Sequence, residues 1–518
     1  MSIFNVILGI LLILNYLCVI SLIFVERKRP SATVVWVVLL IFLPIVSFFL
    51  YLAFGSGLRL RKKKRFNIKA ERYKQYQLMV KEILELPDKI QPYGFVAAQK
   101  RLGSGRPMYE LAETDIEDGK ALLEAERESM GTLADGTIQY LHRADQSLYT
   151  IYNDVEIFTD GEDKFQKLMN DIRGAKSTIN ILYYKINSDQ TGREFVKLLT
   201  EKAKEGVEIR ILYDSLGSFS STRKMFRELE KAGGQVTAFF PVHLAFTSYL
   251  RLNYRNHRKI VVIDSEIGYV GGMNIGDEYR GMDKKLSPWR DTHLRVRGLA
   301  VLLLQERFFM DWMDANEDHN INLETASKFY RMPEKCGKVA VQIASSGPDT
   351  ENEEIKRSII KLLTSATDYV YLQTPYFIPD SPLLEAMKIA AFSGVDVRLM
   401  LPAISDFWFV QYASLSYIDE LIKAGVKCYM YNGFLHAKMV VADDKVATIG
   451  STNLDIRSFS LDFEVNAFMY CNDFAGKCRD IFMEDMSHCF EATAEWRSQK
   501  SVVQRALEGI VRIFSPIM

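Results

Sequence analysis

The chain has 518 residues, enough for three or four folded units of about 150 residues each. Its 65 Lys and Arg against 65 Asp and Glu leave no net charge, so a long groove gripping a nucleic-acid backbone is not expected. The six cysteines form no C-x-x-C pair, and Cys18 lies in an apolar run, which implies a reduced, cytosol-facing body.

In chain order, residues 1–54 read as a membrane hairpin. Ile3 to Val25 is apolar apart from Asn5, Asn15 and Ser21, and is long enough to cross a bilayer. A second run, Ala32 to Phe54, follows the short link Glu26 to Ser31. The first run lacks the basic lead of a secretory signal and exceeds its usual apolar length, so an uncleaved hairpin (helices 3–25 and 32–54) is expected. The link holds Arg27, Lys28 and Arg29, whereas nine Lys and Arg lie between Arg59 and Lys74. That bias predicts a cell-membrane protein with its catalytic domains on the cytoplasmic side. Three link cations are awkward to translocate, so a re-entrant hairpin in the cytoplasmic leaflet is the alternative. The run Arg59 to Arg65 either attracts anionic phospholipid headgroups, about 1 kcal/mol per charge, or only sets topology.

Residues 55–136 form a basic juxtamembrane segment and a charged, mostly helical connector, broken at Pro87, Pro92 and Gly103 to Pro107. From 137 to 330 the pattern alternates. Lys164–Gly174, Arg193–Glu205 and Thr222–Ala232 read as helices; Ser177–Ile186, Val207–Tyr213 and Gln235–Phe240 read as strands. Residues 331–498 repeat that grammar: helix Asn352–Ala366, strand Tyr369–Thr374, helix Ser381–Ser393, then Gly394 to Met400, which mirrors Gly206 to Leu212. The fold class expected is α/β, with two duplicated units and largely parallel sheets. Residues 499–518 form an amphipathic helix with Val502, Val503, Ala506, Leu507, Ile510, Val511 and Phe514 on one broad face. It either packs on its own domain or lies beside lipid.

The duplication is sharpest at two motifs. Counting from His257, Lys259 stands at +2, Asp264 at +7, Gly271 at +14 and Asn274 at +17; His436, Lys438, Asp443, Gly450 and Asn453 repeat every offset. Each His and Lys share a strand face because residues two apart point the same way. Asp264 and Asp443, at an odd offset, turn away and are expected to brace the motif. The Gly-rich turns bring Asn274 and Asn453 toward an anion. Two imidazoles, two ammoniums and two amides suit a phosphodiester. Asp291 (in Trp289-Arg-Asp) and Glu464 (in Asp462-Phe-Glu) occupy equivalent strands and are candidates for orienting the imidazoles. His142, His243, His293, His319 and His488 have no comparable company; no metal spacing is present, and no cofactor is expected.

These two H-x-K-x4-D motifs resemble those of the phospholipase D superfamily. Arg255 to Lys259, Gly271 to Tyr279, Trp289 to His293 and Gly450 to Ser458, with the N-terminal hairpin, resemble the bacterial cardiolipin synthases over nearly the whole chain. The superfamily motif counts Asp264 and Asp443 with the catalytic His and Lys residues. One departure is Gly272 where the second copy has Ser451, which leaves Ser451 without a role by symmetry. The resemblance implies phosphatidyl transfer between two phosphatidylglycerol molecules, giving cardiolipin and glycerol through a phosphohistidine, with His257 as nucleophile and His436 as acid and base. A membrane-bound phospholipase D-type hydrolase and a silent membrane scaffold are the alternatives. Whether phosphatidylethanolamine also serves as donor, the oligomeric state, and the role of Tyr371 to Phe377 stay open at this point.

Overall fold

The computed structural model of the chain describes residues 3–24, 30–54, 113–219, 223–240, 253–316, 329–330, 336–350 and 352–517. The link cations Arg27, Lys28 and Arg29, the basic run from Arg59 to Arg65, and the connector breaks at Pro87, Pro92 and 103–107 lie outside the described residues.

Three apolar helices form the N-terminal region: α1 (Ile3–Phe24), α2 (Pro30–Phe42) and α3 (Pro44–Phe54). Within α1, Asn5–Phe24 is long and apolar enough to cross a membrane. The second run is not the single helix over 32–54 that its composition suggests. Pro44 has no N–H to give the Leu40 carbonyl one turn earlier, and the helix breaks there. Asn15 Nδ2, from α1, donates to that freed carbonyl at 2.8 Å. Ser47 Oγ donates to Leu39 O at 2.9 Å. An unpaired carbonyl is costly in an apolar medium, so the Asn15 bond ties the kink to the hairpin partner while Ser47 bridges it from within the run. Leu22, Trp36, Leu40 and Tyr51 form the hairpin core, with Trp36 and Tyr51 edge to face at 5.2 Å.

The remainder is two α/β halves sharing one continuous sheet. In the first half the strands lie in the spatial order Gln235–Phe239, Glu208–Asp214, Thr178–Tyr183, Ile260–Ile263, Ile267–Gly271, His293–Arg297 and Thr150–Phe158. The second half repeats this with Lys427–Tyr431, Asp396–Pro402, Tyr369–Gln373, Met439–Ala442, Val446–Gly450, Asp462–Tyr470 and Val339–Ser346. The two are joined antiparallel through Thr150–Phe158 and Val339–Ser346, with Thr150 opposite Val341.

The sheet is mixed, not largely parallel. Only the first three strands in each order run parallel. Each motif strand turns straight back on its neighbour through a tight turn with positive φ at Asp264 and Ser265 (53° and 58°) or Asp443 and Asp444 (both 51°). A turn that short joins only antiparallel strands.

The boundaries expected at 136/137 and 330/331 also do not separate the cores. The helical stretch Glu113–Asp145, broken at Gly131, runs across the first, and its Leu133, Ala134, Ile138 and Leu141 pack with Ile355, Ile359 and Leu362 of the second half. Helix Ala300–Ala315 packs on the motif strands of the first half and, across the 330/331 boundary, on Val339–Ser346 of the second, so that Phe308 and Phe309 share one core with Val341, Ile343 and Val465.

Candidate active site

Each histidine sits just after a two-residue strand that pairs with the other half. Arg255–Asn256 lies parallel to Asp462–Phe463, and Phe434–Leu435 lies parallel to Trp289–Arg290. The zip continues through the histidine amides: His257 N donates to Phe463 O at 2.9 Å and His436 N to Arg290 O at 2.6 Å. Each imidazole therefore meets the carboxylate carried by the opposite half. His257 Nδ1 lies 3.0 Å from Glu464 Oε1, and His436 Nδ1 lies 2.6 Å from Asp291 Oδ2. Both carboxylates are fully buried. With Nδ1 engaged, Nε2 of each ring is the nitrogen left for chemistry.

Lys259 and Lys438 are also buried, each ammonium donating to the carbonyl of its own motif histidine at 2.6 Å. Burial pushes Lys259 down to about 7 and Lys438 down to about 8, despite the attraction of Asp291 and Glu464. Burial and the adjacent Lys259 hold His257 well below the ordinary histidine value; burial and Lys438 do the same to His436. The site is built to be completed by an anion, whose charge would favour protonation of all four groups.

The two carboxylates differ. Burial pushes Glu464 up to about 7, even with Lys259 and Ser451 beside it. Burial acts the same way on Asp291, but His436 and Lys438 outweigh it and hold the carboxyl below its ordinary value. The Gly272/Ser451 departure lies beside these two carboxylates, and at Glu464 the hydroxyl opposes the effect of burial. Ser451 Oγ donates to Glu464 and accepts from Val465 N at 3.0 Å. At Gly272 a Cβ would stand 2.1 Å from Asp291 Oδ1, so the first turn has room only for glycine beside its carboxylate.

Asp264 and Asp443, grouped with the catalytic set by the motif, do not reach the site. Asp264 accepts from the backbone of Lys176, Ser177 and Thr178 at 2.8 Å each. Asp443 accepts from Thr367, Asp368 and Tyr369 at 2.7 to 3.0 Å. They clamp the far end of each motif strand to the start of the neighbouring strand, as strand parity requires. Asn274 and Asn453 line the same cavity as the histidines. Asn274 accepts from Lys185 N at 3.2 Å and donates to Tyr279 Oη at 2.6 Å.

His257, His436 and both asparagines open on one cavity of about 660 Å³ at the junction of the halves. Among the described residues no group of His, Cys, Asp or Glu is arranged to hold a metal ion.

Two stretches, 168–284 and 359–486, match the family model described as cardiolipin synthase, phospholipase D-like domain, and 13–56 matches the phospholipase D-nuclease N-terminal model. Over 526 aligned residues, covering both chains fully, the chain is 40% identical to a cardiolipin synthase of Oceanobacillus iheyensis. It is 41% identical to the major cardiolipin synthase of Bacillus subtilis, again over the full length of both. The chain belongs to the cardiolipin synthase family. Among solved structures, the phosphatidylserine synthase of Haemophilus influenzae covers 73% of this chain and all of its own at a TM-score of 0.56 and 14% identity, a likeness of fold. The cardiolipin synthase family and the apolar N-terminal helix together mark the chain as membrane-associated.

Around the paired motifs of this cardiolipin synthase family member stand residues that motif spacing did not single out. Tyr184 packs edge-on to His257 at 5.0 Å and under the Lys259 ammonium at 5.4 Å. Trp289 packs on His436 at 5.2 Å. Arg457 pairs with Asp462 at 3.2 Å, and both line the cavity. Tyr376, from the segment whose role stayed open, lines it too and donates to Asp406 at 2.7 Å. A signal existed for two of these: Trp289 and Asp462 each lie two residues before an orienting carboxylate, on the same strand face.

Proposed function

We propose that the enzyme transfers a phosphatidyl group between two phosphatidylglycerol molecules, forming cardiolipin and releasing glycerol. The observation that carries this reading is the pair of crosswise imidazole–carboxylate contacts opening on one cavity beside two buried ammoniums. The inequality of the carboxylates supports the assignment of roles. Glu464, whose charge is disfavoured, leaves His257 a neutral nucleophile; at His436 ionised Asp291 pulls toward the imidazolium against burial and Lys438, and the negative charge of a bound phosphodiester would add to that pull.

In the first step His257 Nε2 attacks phosphorus, the bond from phosphorus to the glycerol headgroup oxygen breaks, and His436 gives its proton to the departing alkoxide. In the second, His436 takes the proton of a primary hydroxyl on the second phosphatidylglycerol. That oxygen attacks phosphorus, and the phosphorus–nitrogen bond breaks to free His257. Lys259 and Lys438 neutralise charge on the non-bridging oxygens, and Asn274 and Asn453 orient them. Asp264 and Asp443 hold the motif strands in register. One phosphodiester replaces another, so no nucleotide or cofactor is called for.

The excess of Lys and Arg after the hairpin supports a cytoplasmic-facing site on the cell membrane, with anionic phospholipids as the surface it meets. Purified enzyme on phosphatidylglycerol vesicles tests the reaction. Cardiolipin and glycerol should appear in equal amounts, and excess glycerol should drive the reaction backwards. Phosphatidic acid as the main product would assign a hydrolase instead, because bulk water would then outcompete the bound alcohol.

A further inference from the structure

The C-terminal helix Val502–Phe514 is built inside out. It starts at a reciprocal cap in which Gln504 N donates to Ser501 Oγ at 3.2 Å and Ser501 N donates to Gln504 Oε1 at 3.0 Å. Its charged side faces the protein. Glu508, 3% exposed, accepts from Arg497 Nη1 and Nη2 at 3.1 and 2.6 Å. Arg512 donates to Ser416 O and Glu420 Oε2 at 2.9 Å each and lies over the Tyr417 ring at 4.3 Å. Arg505 folds back onto Arg497 O at 3.1 Å.

Val511 packs inward, but four large apolar side chains point the other way. Val502, Val503, Ile510 and Ile513 are 83, 68, 53 and 62% exposed. At 3.6 residues per turn these four fall within an arc of about 100°. Ala506 is exposed within that arc and Gly509 at its edge, so no charge interrupts it. A helix on a water-facing surface shows the opposite arrangement.

Its neighbours indicate what covers the apolar face. The turn that ends it, Ser515–Ile517, packs on α2, and Ile517 joins the hairpin core. Its body packs on helix Trp408–Leu415. At the start of that helix Phe407 and Trp408 are 50 and 64% exposed, and Phe407 lines the mouth of the catalytic cavity. The helix therefore joins the membrane hairpin to the rim of the site.

We propose that the outward face of Val502–Phe514 lies in the headgroup and acyl-chain boundary of the bilayer that the hairpin enters, and holds the Phe407–Trp408 rim at the lipid surface. Interfacial helices bury such a face about 5–10 Å below the headgroups. This inference rests on attachment by the hairpin and not on the reaction assigned above.

The test uses the full chain reconstituted in phosphatidylglycerol vesicles. The emission that Ile510→Trp adds to the parent spectrum should be blue-shifted, and lipids brominated high on their acyl chains should quench it about twofold or more. Added emission like that of a water-exposed tryptophan overturns the proposal. So does blue-shifted, unquenched emission with a doubled particle mass, which would assign the face to a second copy of the chain. In parallel, the double variant Val503→Asp/Ile510→Asp should lose turnover on vesicles on the order of tenfold. Its melting temperature and its turnover on micelle-dispersed substrate should match the parent. Equal loss in both settings would mean that protein, not lipid, covers the face.

Discussion

The two halves repeat seven strands and one motif, yet they treat their carboxylates oppositely. The first half supplies Asp291 beside a glycine, and the carboxyl stays ionised against His436 and Lys438. The second supplies Glu464 beside Ser451, and burial wins. Burial of Glu464, which the Ser451 hydroxyl only opposes, leaves a symmetric scaffold with two unlike carboxylates. Duplication supplies the frame here, and local electrostatics divides the labour.

The largest effect expected in this comparison is at the histidines themselves. His257→Ala and His436→Ala should each lower turnover by ~10³-fold or more, and the double variant should be little worse, because residues acting as a unit are non-additive. Half activity in either single variant would show two independent sites. Substituting Asn at position 436 should let a labelled phosphatidyl adduct accumulate on His257; label mapped to position 436 in the His257→Asn enzyme alone would reverse the roles.

Next come the carboxylates. In a triad, replacing the orienting aspartate by its amide costs ~10⁴ in kcat through the wrong tautomer. Asp291→Asn should approach that loss, and Glu464→Gln should fall roughly tenfold short of it, since its charge is already disfavoured. Equal losses would erase the distinction between the halves. The pH profile sharpens it. The nucleophile must be neutral, and a lowered His257 value keeps it neutral to lower pH, so kcat/KM should fall only below the ordinary histidine range, about 6.5. An acid limb well above that value would place a protonated His257 in the resting enzyme.

The smallest effects separate the turns. Ser451→Ala removes one hydrogen bond to a carboxylate and should lower kcat by about threefold to tenfold. Gly272→Ala should cost more, because the added Cβ cannot coexist with Asp291 Oδ1 at 2.1 Å. A harmless alanine at 272, read by kcat at saturating substrate, would mean that the first carboxylate can move without consequence.

Much of this was legible without coordinates, for identifiable reasons. Motif offsets survive duplication because a strand, a turn and a second strand need fixed lengths, so both H-x-K-x4-D copies and their amide turns stand out. Strand parity alone turned Asp264 and Asp443 away from the His face, and the structure finds them on backbone amides. Helix and strand positions in both halves followed from alternation and matched to within a few residues. The break at Pro44 follows from a proline present in the chain, yet residues 32–54 read as one helix; only the structure shows that the freed Leu40 carbonyl finds its partner on another helix.

The amino-acid sequence by itself determined the duplication, the paired His and Lys motifs and the apolar N-terminus, since each depends on residue type and short-range spacing. Tertiary structure decided which carboxylate meets which histidine. That pairing crosses some 145 to 207 residues of chain through the two short parallel strands that zip the halves together. It likewise decided which side of the C-terminal helix faces out. Periodicity marks an apolar face and a charged one, but only the positions of Arg497 and Glu420 turn the charged one inward. Contacts between distant segments carry no local pattern, and the crosswise pairing of the two halves is made of such contacts.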